Sequence, residues 1–556
     1  MTDSRAEEVL RRQARMEAER APMDGICQEV AERVLTRQRE FSGRRSGEAA
    51  WRSEKMFDST APLALDKFAA AIESMLTPRT SRWHELAIHD WRDSRDRPAP
   101  LPEAVRMWLG QVNEALFSAR YAAGANFAAQ AHETYVGLGA FGNGTLFVDE
   151  APADGVSGGG LRYRSIPFAE TWFAENFQGQ VDTVHRKFEL TARQWVQQFG
   201  EETPASIRRA AEDEPHRKFE LIHCVGPRED ADWSRRDWRG MAFASWYVSF
   251  EGRKLLKEQG YRTMRYAVAR YVTAPREVYG RGPAMTILAD IKTVNQQQKT
   301  LLRVGQMIAE PPILLSDEGG LSAFRLAPGT INHGALSHDG SELVRPLSIG
   351  ANLPITLEMV NQTRESINQA FLVTLFQILV ETPQMTATEA MLRAQEKGAL
   401  LAPVMGRLQS ELLGPLVQAE LDILAGAGAL PDMPPELEGL SDVVTDIDYT
   451  SPLARAQKSD EGVAILRLLE DAAAIGQFDP SAVKLIKGPE TLRRLAEIRG
   501  APAGLLRSEA DMAALAQQEA AMGQLQAMLG AAGQAAGVAK DAAAAGLLEG
   551  GQSAFR

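Results

Sequence analysis

Residues 284–309, AMTILADIKTVNQQQKTLLRVGQMIA, and residues 355–380, ITLEMVNQTRESINQAFLVTLFQILV, decide how this chain is built. The first stretch holds one glycine and no proline, so it reads as a single helix about 39 Å long at 1.5 Å per residue. Pro311-Pro312 stops it, because proline has no amide to donate and its ring crowds the preceding turn. The second stretch carries Ile355, Met359, Ile367, Phe371, Leu372, Leu375 and Ile378 on one apolar side. Between them, residues 310–354 are rich in Gly, Ser and Pro and contain the short strand-like runs PILLSDEGG, FRLAPGTIN and VRPLSIG. Two long helices therefore bracket a small β insertion.

Downstream, a short turn, ETPQM, leads into a third long helix whose start is marked by a capping box from Thr386 to Glu389. This helix runs toward Ala425 and is expected to kink at Pro403, Gly406 and Gly414-Pro415. The linker GAGALPDMPPELEG is followed by shorter helices over about 459–475, 480–487 and 489–499. Beyond Ser508 an Ala-, Gln-, Gly- and Met-rich tail favours helix but offers few large apolar groups to bury.

Upstream, residues 1–40 read as an exposed, charged helix. Residues 57–76 form an amphipathic helix with Leu65, Phe68, Ala69, Ile72, Met75 and Leu76 on its apolar face, and Asp58 or Ser59 as its cap. A helical stretch over about 103–138 ends in GLGAFGNGTLFVDE. From Thr145 the pattern turns to strands, with TLFVDE, LRYRSIP and VDTVHRKFEL separated by turn-rich loops, and 234–280 continues in this style. HRKFEL occurs at 185–190 and again at 216–221; two copies define no repeat architecture and read as two similar strands. The fold class is α+β and mainly helical, with three or four units in 556 residues.

The net charge is −12. Tight DNA binders gain affinity by releasing counterions with Lys and Arg and usually look basic, so any DNA contact here should be loose or confined to a few residues. Two cysteines, Cys27 and Cys224, provide no disulfide framework, which suits folding in a reducing cytoplasm. The charged N-terminus lacks the apolar core of a signal peptide, and no stretch reaches the roughly 20 apolar residues of a membrane helix. A soluble protein is expected.

Catalytic signatures fail one by one. His84-Glu85-Leu86-Ala87-Ile88-His89 is one residue too long for the zinc-protease motif; on a helix its imidazoles would point about 140° apart, so exposed loop or strand histidines are expected instead. Gly155-Val156-Ser157-Gly158-Gly159 matches the nucleophile-elbow spacing, yet strand-like LRYRSIP follows it where a helix is required, so it reads as a hairpin loop. No Gly-Lys dipeptide exists to build a phosphate loop, and no CxxC pair to bind zinc. The expectation is a protein that is not an enzyme, with no cofactor and no metal.

Several short stretches, taken in order, resemble the head-to-tail connector (portal) family of T7-like podoviruses. They are Phe57-Asp58-Ser59-Thr60-Ala61-Pro62 with Ala64-Leu65, Leu76-Thr77-Pro78 with Trp83, Gly142-Asn143-Gly144-Thr145, Arg164-Ser165-Ile166-Pro167 and Tyr279-Gly280-Arg281-Gly282-Pro283. Asp290-Ile291-Lys292 with Asn295 and Lys299, Pro311-Pro312, Pro328-Gly329 and the Thr386–Glu389 helix start continue the series. The likeness covers roughly residues 40–460.

The resemblance implies a ring, of twelve subunits in this family, around a channel for double-stranded DNA, placed in the virion at the capsid portal vertex after assembly in the host cytoplasm. It implies a wing over 41–283 after an N-terminal arm at 1–40. Stem helices at 284–309 and 355–380 enclose a clip at 310–354. A tunnel loop at 381–388, a kinked wing helix at 389–430 and a crown at 431–556 complete the chain. Implied partners are further copies of the chain, non-specific DNA, the major capsid and scaffolding proteins, the terminase, and tail adaptor or tube proteins, with no membrane. Lys292, Lys299, Arg303, Gln384 and Thr386 are the channel candidates: three cations on the first stem helix and two short polar side chains by the turn. An acidic wall with scattered cations would let DNA slide without deep phosphate wells. The alternative reading is a helical virion scaffold or adaptor without a channel.

Overall fold

The structure is a computed structural model. It describes residues 2–38, 56–88, 101–151, 160–315, 327–333, 335–347, 353–373, 403–437, 446–450, 452–476 and 485–499, with a few isolated positions besides. The chain divides into two compact units, residues 1–99 with 107–457, and residues 100–106 with 458–556.

The larger unit starts with α1 (Thr2–Arg33) and α2 (Thr60–Leu76), then the short strand β1 (His84–Ala87). Helices α3 (Glu103–Arg120) and α4 (Phe127–Phe141) follow, separated at Asn126, whose left-handed φ of 62° breaks what the sequence suggests is one helical stretch. Strands β2 (Asn143–Glu150) and β3 (Leu161–Ile166) form an antiparallel hairpin, with Thr145 opposite Ile166 and Glu150 opposite Leu161. This pairing is what a hairpin reading of the Gly155–Gly159 segment requires, although that segment itself lies outside the described residues.

A five-stranded antiparallel sheet comes next, in the order β4 (Thr171–Glu175), β5 (Val181–Thr191), β6 (Lys218–Pro227), β7 (Phe243–Ser249) and β8 (Leu255–Tyr261). Helices α5 (Ala192–Phe199) and α6 (Ala205–Asp213) join β5 to β6. The two HRKFEL copies fall beside each other: Phe188 faces Leu221, Glu189 faces Glu220 and Leu190 faces Phe219. Strand β9 (Tyr266–Arg270) leaves this sheet to pair with β2, giving a second sheet ordered β3-β2-β9. The two-residue strands β10 (Val272–Thr273) and β11 (Gly280–Arg281) then lead into a helical turn, α7 (Pro283–Thr286).

The long helix expected over 284–309 is α8 (Leu288–Ala309), set off from α7 at Ile287, where φ −106° and ψ 18° leave the helical range. Strands β12 (Ile313–Leu315) and β13 (Val344–Pro346) pair antiparallel, so the insertion has the expected β character. The second helix, α9 (Leu353–Ala370), is shorter than expected. It ends where Leu372 takes a left-handed φ of 59° between buried Phe371 and Val373. Burial on both sides of that turn overrides the helical periodicity of the local sequence. Met359, expected on the apolar side, is exposed, and Val360 is buried in its place. Leu375, Ile378, the ETPQM turn and the Thr386–Glu389 box lie outside the described residues.

A helix over 403–426 closes this part of the unit, its last section being α10 (Gly414–Gly426). Its expected irregularity is a π turn at Gln409–Leu413, where the Gly414 amide reaches back five residues to the Gln409 carbonyl. Pro415 has no amide to donate, and the wider turn admits it without breaking the helix. Strand β14 (Asp446–Tyr449) returns to pair with β1, and α11 (Pro452–Gly476) begins. The smaller unit contains most of α11 and α12 (Gly488–Arg499). No helix among the described residues is long and apolar enough to cross a membrane.

The N-terminal helix corrects the sequence reading most. It is not an exposed arm. Ala6, Val9, Gln13, Met16, Arg20, Cys27, Val30 and Ala31 are buried along one stripe, mostly at steps of three, four or seven. Two polar residues in that stripe hide it from a hydrophobicity reading, and both are satisfied by distant partners. Gln13 Oε1 lies 3.1 Å from His185 Nδ1 on β5. Arg20 donates to the Phe168 carbonyl at 2.8 Å and to the Thr171 carbonyl, and lies 4.0 Å over the Trp172 ring. Ala6 and Val9 cover one face of the five-stranded sheet with Ile222, Cys224, Ala244, Trp246, Val248 and Leu255. Trp195, Phe199 and Ile207 of α5 and α6 cover Phe219, Leu221 and Leu256. Cys27 and Cys224 are free and buried, and burial pushes the Cys224 thiol up to about 12.

Candidate functional site

The α8–α9 pair is fastened to the β-rich body at two joints, where the Phe57-Asp58, Gly142-Asn143, Gly280–Gly282 and Ile291–Asn295 parts of the stretches that resemble the connector family meet. At the first, Asn295 of α8 is buried and makes three hydrogen bonds. Its Oδ1 accepts the amides of Phe57 at 2.7 Å and Asp58 at 3.1 Å, while its Nδ2 donates to the Ile291 carbonyl at 2.7 Å. Asp58 Oδ1 accepts the Thr60 amide at 2.9 Å, capping the start of α2, and Oδ2 takes two hydrogen bonds from Arg364 of α9. Burial opposes ionisation of Asp58, but the hydrogen bonds from Thr60 and Arg364 outweigh it and hold the carboxyl below its usual range. The Phe57-Asp58 dipeptide thus grips both helices. Ile291, Val294, Val360, Ile367 and Phe371 are buried beside it, and Phe371 meets Phe68 of α2 at 6.3 Å between ring centres.

The second joint is a crossing of glycines. Asn143 donates from Nδ2 to the Gly280 carbonyl at 2.9 Å and accepts the Gly280 amide on Oδ1 at 2.7 Å. The Tyr271 amide donates to the Gly142 carbonyl at 2.9 Å. A Cβ on Gly282 would lie 2.6 Å from the Gly142 nitrogen and 2.8 Å from the Leu138 carbonyl oxygen. Gly142 has φ 71°, in the region that favours glycine. Pro283 then starts α7, so the chain leaves the crossing already turned toward α8.

Buried ion pairs tie the helix over 403–426 to the same body. Arg120 and Glu420 are fully buried and paired, Arg120 Nε lying 3.0 Å from Glu420 Oε1. Tyr163 donates to the same carboxylate at 2.6 Å, and Arg120 Nη2 lies 2.7 Å from His84 Nε2. Burial and then the Arg120 charge push His84 well below the usual imidazole range, so it stays neutral. This corrects the expectation of an exposed His84: of the loop or strand expected it lies on a strand, β1, but it is buried, as is Trp83 beside it. His89 lies outside the described residues. Arg270 bridges Glu411 in the π turn, at 2.9 Å from Nε and 2.7 Å from Nη2, and also Glu175. Arg265 pairs with Asp422 at 3.1 Å. Among the described residues no group of three His, Cys, Asp or Glu side chains is placed to hold a metal.

Lys292, Lys299 and Arg303 follow one another at spacings of seven and four, which puts them on one side of α8. Lys292 pairs with Glu29 of α1 at 2.5 Å, and Lys299 Nζ sits 5.2 Å from the centre of the Phe57 ring. Arg303 is exposed. Gln384 and Thr386 lie outside the described residues. Sequence reasoning missed Arg364, Glu29, Arg120 and Glu420, whose partners are far away along the chain. The one local signal was a polar residue on a buried helix stripe: Asn295 follows Ile291 by four, and Glu420 interrupts the apolar run GPLVQAELDIL.

The comparisons with known proteins show the family. The chain belongs to the bacteriophage head to tail connecting protein family, whose profile matches residues 6–506. That match extends past the 40–460 stretch on both sides. The chain is 25% identical over 540 residues to the portal protein of Salmonella phage epsilon15, covering 94% of each chain. It is 27% identical over 486 residues to a probable portal protein of Bordetella phage BPP-1, covering 85% of this chain and 84% of that one. A solved structure, the neck of a native GTA particle computed with C12 symmetry, aligns at TM-score 0.34 and 11% identity over 78% of this chain and 94% of that one, too loosely to carry an argument. By the family profile and the two relatives, the function of this chain is that of a portal, the connector between phage head and tail.

Proposed function

We propose that copies of this chain close into a ring, of twelve subunits, at one vertex of the phage head, and that double-stranded DNA enters and leaves the head through its channel. The observation that carries the reading is the α8–β12–β13–α9 hairpin. It is anchored firmly at its base, yet Leu302, Met307, Ile308, Leu314, Leu315 and Leu357 are exposed on the single chain. So many large apolar side chains on one projecting element call for cover, and neighbouring copies in a ring supply it. β12 and β13 have three residues each, too few to stand alone, so strands of the neighbours would extend them. The helices also expose uncharged polar groups, among them Thr293, Gln296, Thr300, Asn361 and Gln362. Such groups touch a passing phosphate backbone without holding it.

In this reading α8 and α9 are the stem, 310–354 is the clip that receives terminase and then tail proteins, and 381–388 is the tunnel loop. Residues 41–283 with the helix over 403–426 are the wing, and the helices after 431 belong to the crown. The major capsid and scaffolding proteins would hold the ring in the shell. Lys299, Arg303, Gln384 and Thr386 are assigned to weak DNA contact, and Lys292 to the α1–α8 joint as well as the channel side.

Negative-stain imaging and native mass of the purified full-length protein test the ring, with a twelve-subunit annulus expected. A stable monomer or an open assembly would favour the scaffold or adaptor reading. Replacing 313–350 by a short Gly/Ser linker should leave the wing folded and abolish attachment of tail or terminase. Normal tail attachment by that variant would remove the clip assignment.

A further inference from the structure

Gly144-Thr145 and Ser165-Ile166-Pro167 belong to stretches that resemble the connector family, yet they take no part in the hydrogen bonds of the two joints. They line one side of a cavity of about 110 Å³, and α4 lines the other. The gap is fixed in width, because helix and strand already touch beside it. A Cβ on Gly144 would lie 2.6 Å from the Thr134 carbonyl oxygen, and one on Gly137 would lie 3.3 Å from the Asn143 carbonyl oxygen. The cavity therefore cannot close by collapse of α4 onto β2.

Its wall is polar. Thr134 donates to the Gln130 carbonyl at 2.9 Å and lies 3.0 Å from Ser165 Oγ, and Gln130 Oε1 accepts the Ser165 amide at 2.7 Å. Gln130 Nε2 has no hydrogen-bond partner among the described residues. Thr145 is 1% exposed, and its Oγ1 has no partner among them either. A buried hydroxyl left unpaired is costly and rare in folded proteins, so Thr145 calls for a partner inside the cavity. Among the described residues of the lining Glu133 is the one that ionises, and Arg37 engages it at 2.7 Å. A metal ion would meet no free carboxylate there, and an anion no free cation. The ligand that fits is small, neutral and able both to donate and to accept.

We propose that this cavity is a built hydration site, in which ordered water bonds to Thr145 Oγ1 and links it to Gln130 and Ser165. At roughly 30 Å³ for each molecule in the liquid, the space takes about three waters. They supply the hydrogen bonds that α4 and the β2–β3 hairpin, held apart at this point, cannot make to each other directly. Asn143 lines the same cavity and holds Gly280, so the hydrated seam borders the second joint. The proposal does not depend on the ring or channel assignments.

The test has two parts, both on the full-length protein in buffer free of polyols. A structure at a resolution that shows water should contain compact, separate density within hydrogen-bond reach of Thr145 Oγ1. Continuous side-chain density in the cavity, from this chain or from a second copy, overturns the proposal, as does a cavity without density. Thr145→Val keeps the shape and suits a strand, so its effect on the thermal midpoint has a sign that depends on the water. With water bound, losing the hydroxyl should lower the midpoint by about 1–3 °C. An unchanged or higher midpoint would mean that the hydroxyl had no partner to lose, and that too would overturn the proposal. Should Thr145→Val fail to fold, the density in the parent protein decides alone.

Discussion

Asp58 Oδ2 accepts hydrogen bonds from both Nε and Nη2 of Arg364, at 2.9 and 2.7 Å, joining residues 306 positions apart. The same aspartate caps α2, and its amide is held by Asn295, so this joint fastens α8 and α9 together at their base.

Asp58→Ala should therefore loosen the pair locally before it unfolds the body. Loss of charge-assisted hydrogen bonds at a largely buried carboxylate costs about 2 kcal/mol. Hydrogen exchange should speed up in 353–370 and at the start of α2, with the five-stranded sheet unchanged. Uniform protection across all three would refute the role given to the joint.

Glu420→Leu should be among the most damaging single changes in the larger unit. It strands Arg120 as a fully buried charge, at a cost of about 4 kcal/mol. The double variant Arg120→Leu/Glu420→Leu removes both charges and should recover much of that loss. Midpoints of chemical denaturation for the two variants give the comparison. A double variant no better than the single one would mean that packing, not charge, sets the cost.

The glycine crossing predicts opposite outcomes for two alanine substitutions. Gly282→Ala brings a Cβ within 2.6 Å of backbone and should give insoluble or unfolded protein. Gly305→Ala on α8 meets nothing within 4 Å and should raise stability by up to about 1 kcal/mol through helix propensity. Soluble yield and thermal midpoint measure both.

Acid should destabilise this protein well before its carboxylates titrate. Burial lowers His185 and His223 from the ordinary 6.5 to about 3, with nearby cations adding to the effect, and His84 is lowered as well. In the unfolded chain these histidines take up protons below about pH 6.5, whereas in the fold His185 and His223 remain neutral until about pH 3. Their contribution is thus complete above pH 6.5 and falls as the pH drops toward 3, by up to about 1.4 kcal/mol per pH unit for each histidine. Thermal midpoints between pH 7 and 4 should decline, and His185→Gln should flatten the decline. A midpoint independent of pH across that range would contradict the burial of these rings.

Channel contact makes its own prediction. Arg303→Glu, and separately Gln384→Glu/Thr386→Glu, should leave ring mass unchanged and alter the yield or retention of DNA-filled heads. Equal yields and equally stable filled heads would reduce these residues to solvent-facing or connecting roles.

Much of the architecture was legible in the sequence because it is local. The α8 stretch, the β insertion, the amphipathic α2 and the β2–β3 hairpin each follow from periodicity and turn residues within one window. The collinear motifs pointed to the family for the same reason: each is short and continuous. Their purpose was not legible, since Phe57-Asp58, Asn295 and Arg364 have meaning only as one cluster.

Charge, length, cysteine usage, helix periodicity and the order of the motifs were determined by the sequence alone. Tertiary structure decided that α1 is buried, that α9 turns at Leu372, that His84 is covered and that the two HRKFEL strands are neighbours. The physical reason is the same in each case. Gln13, Arg20, Asn295, Arg120 and Glu420 occupy buried positions that hydrophobicity would deny them, and they are tolerated there because partners up to 300 positions away supply hydrogen bonds or opposite charge. Local patterning sets which helices and strands form, but the pairing of polar groups across the fold decides which of their faces turn inward.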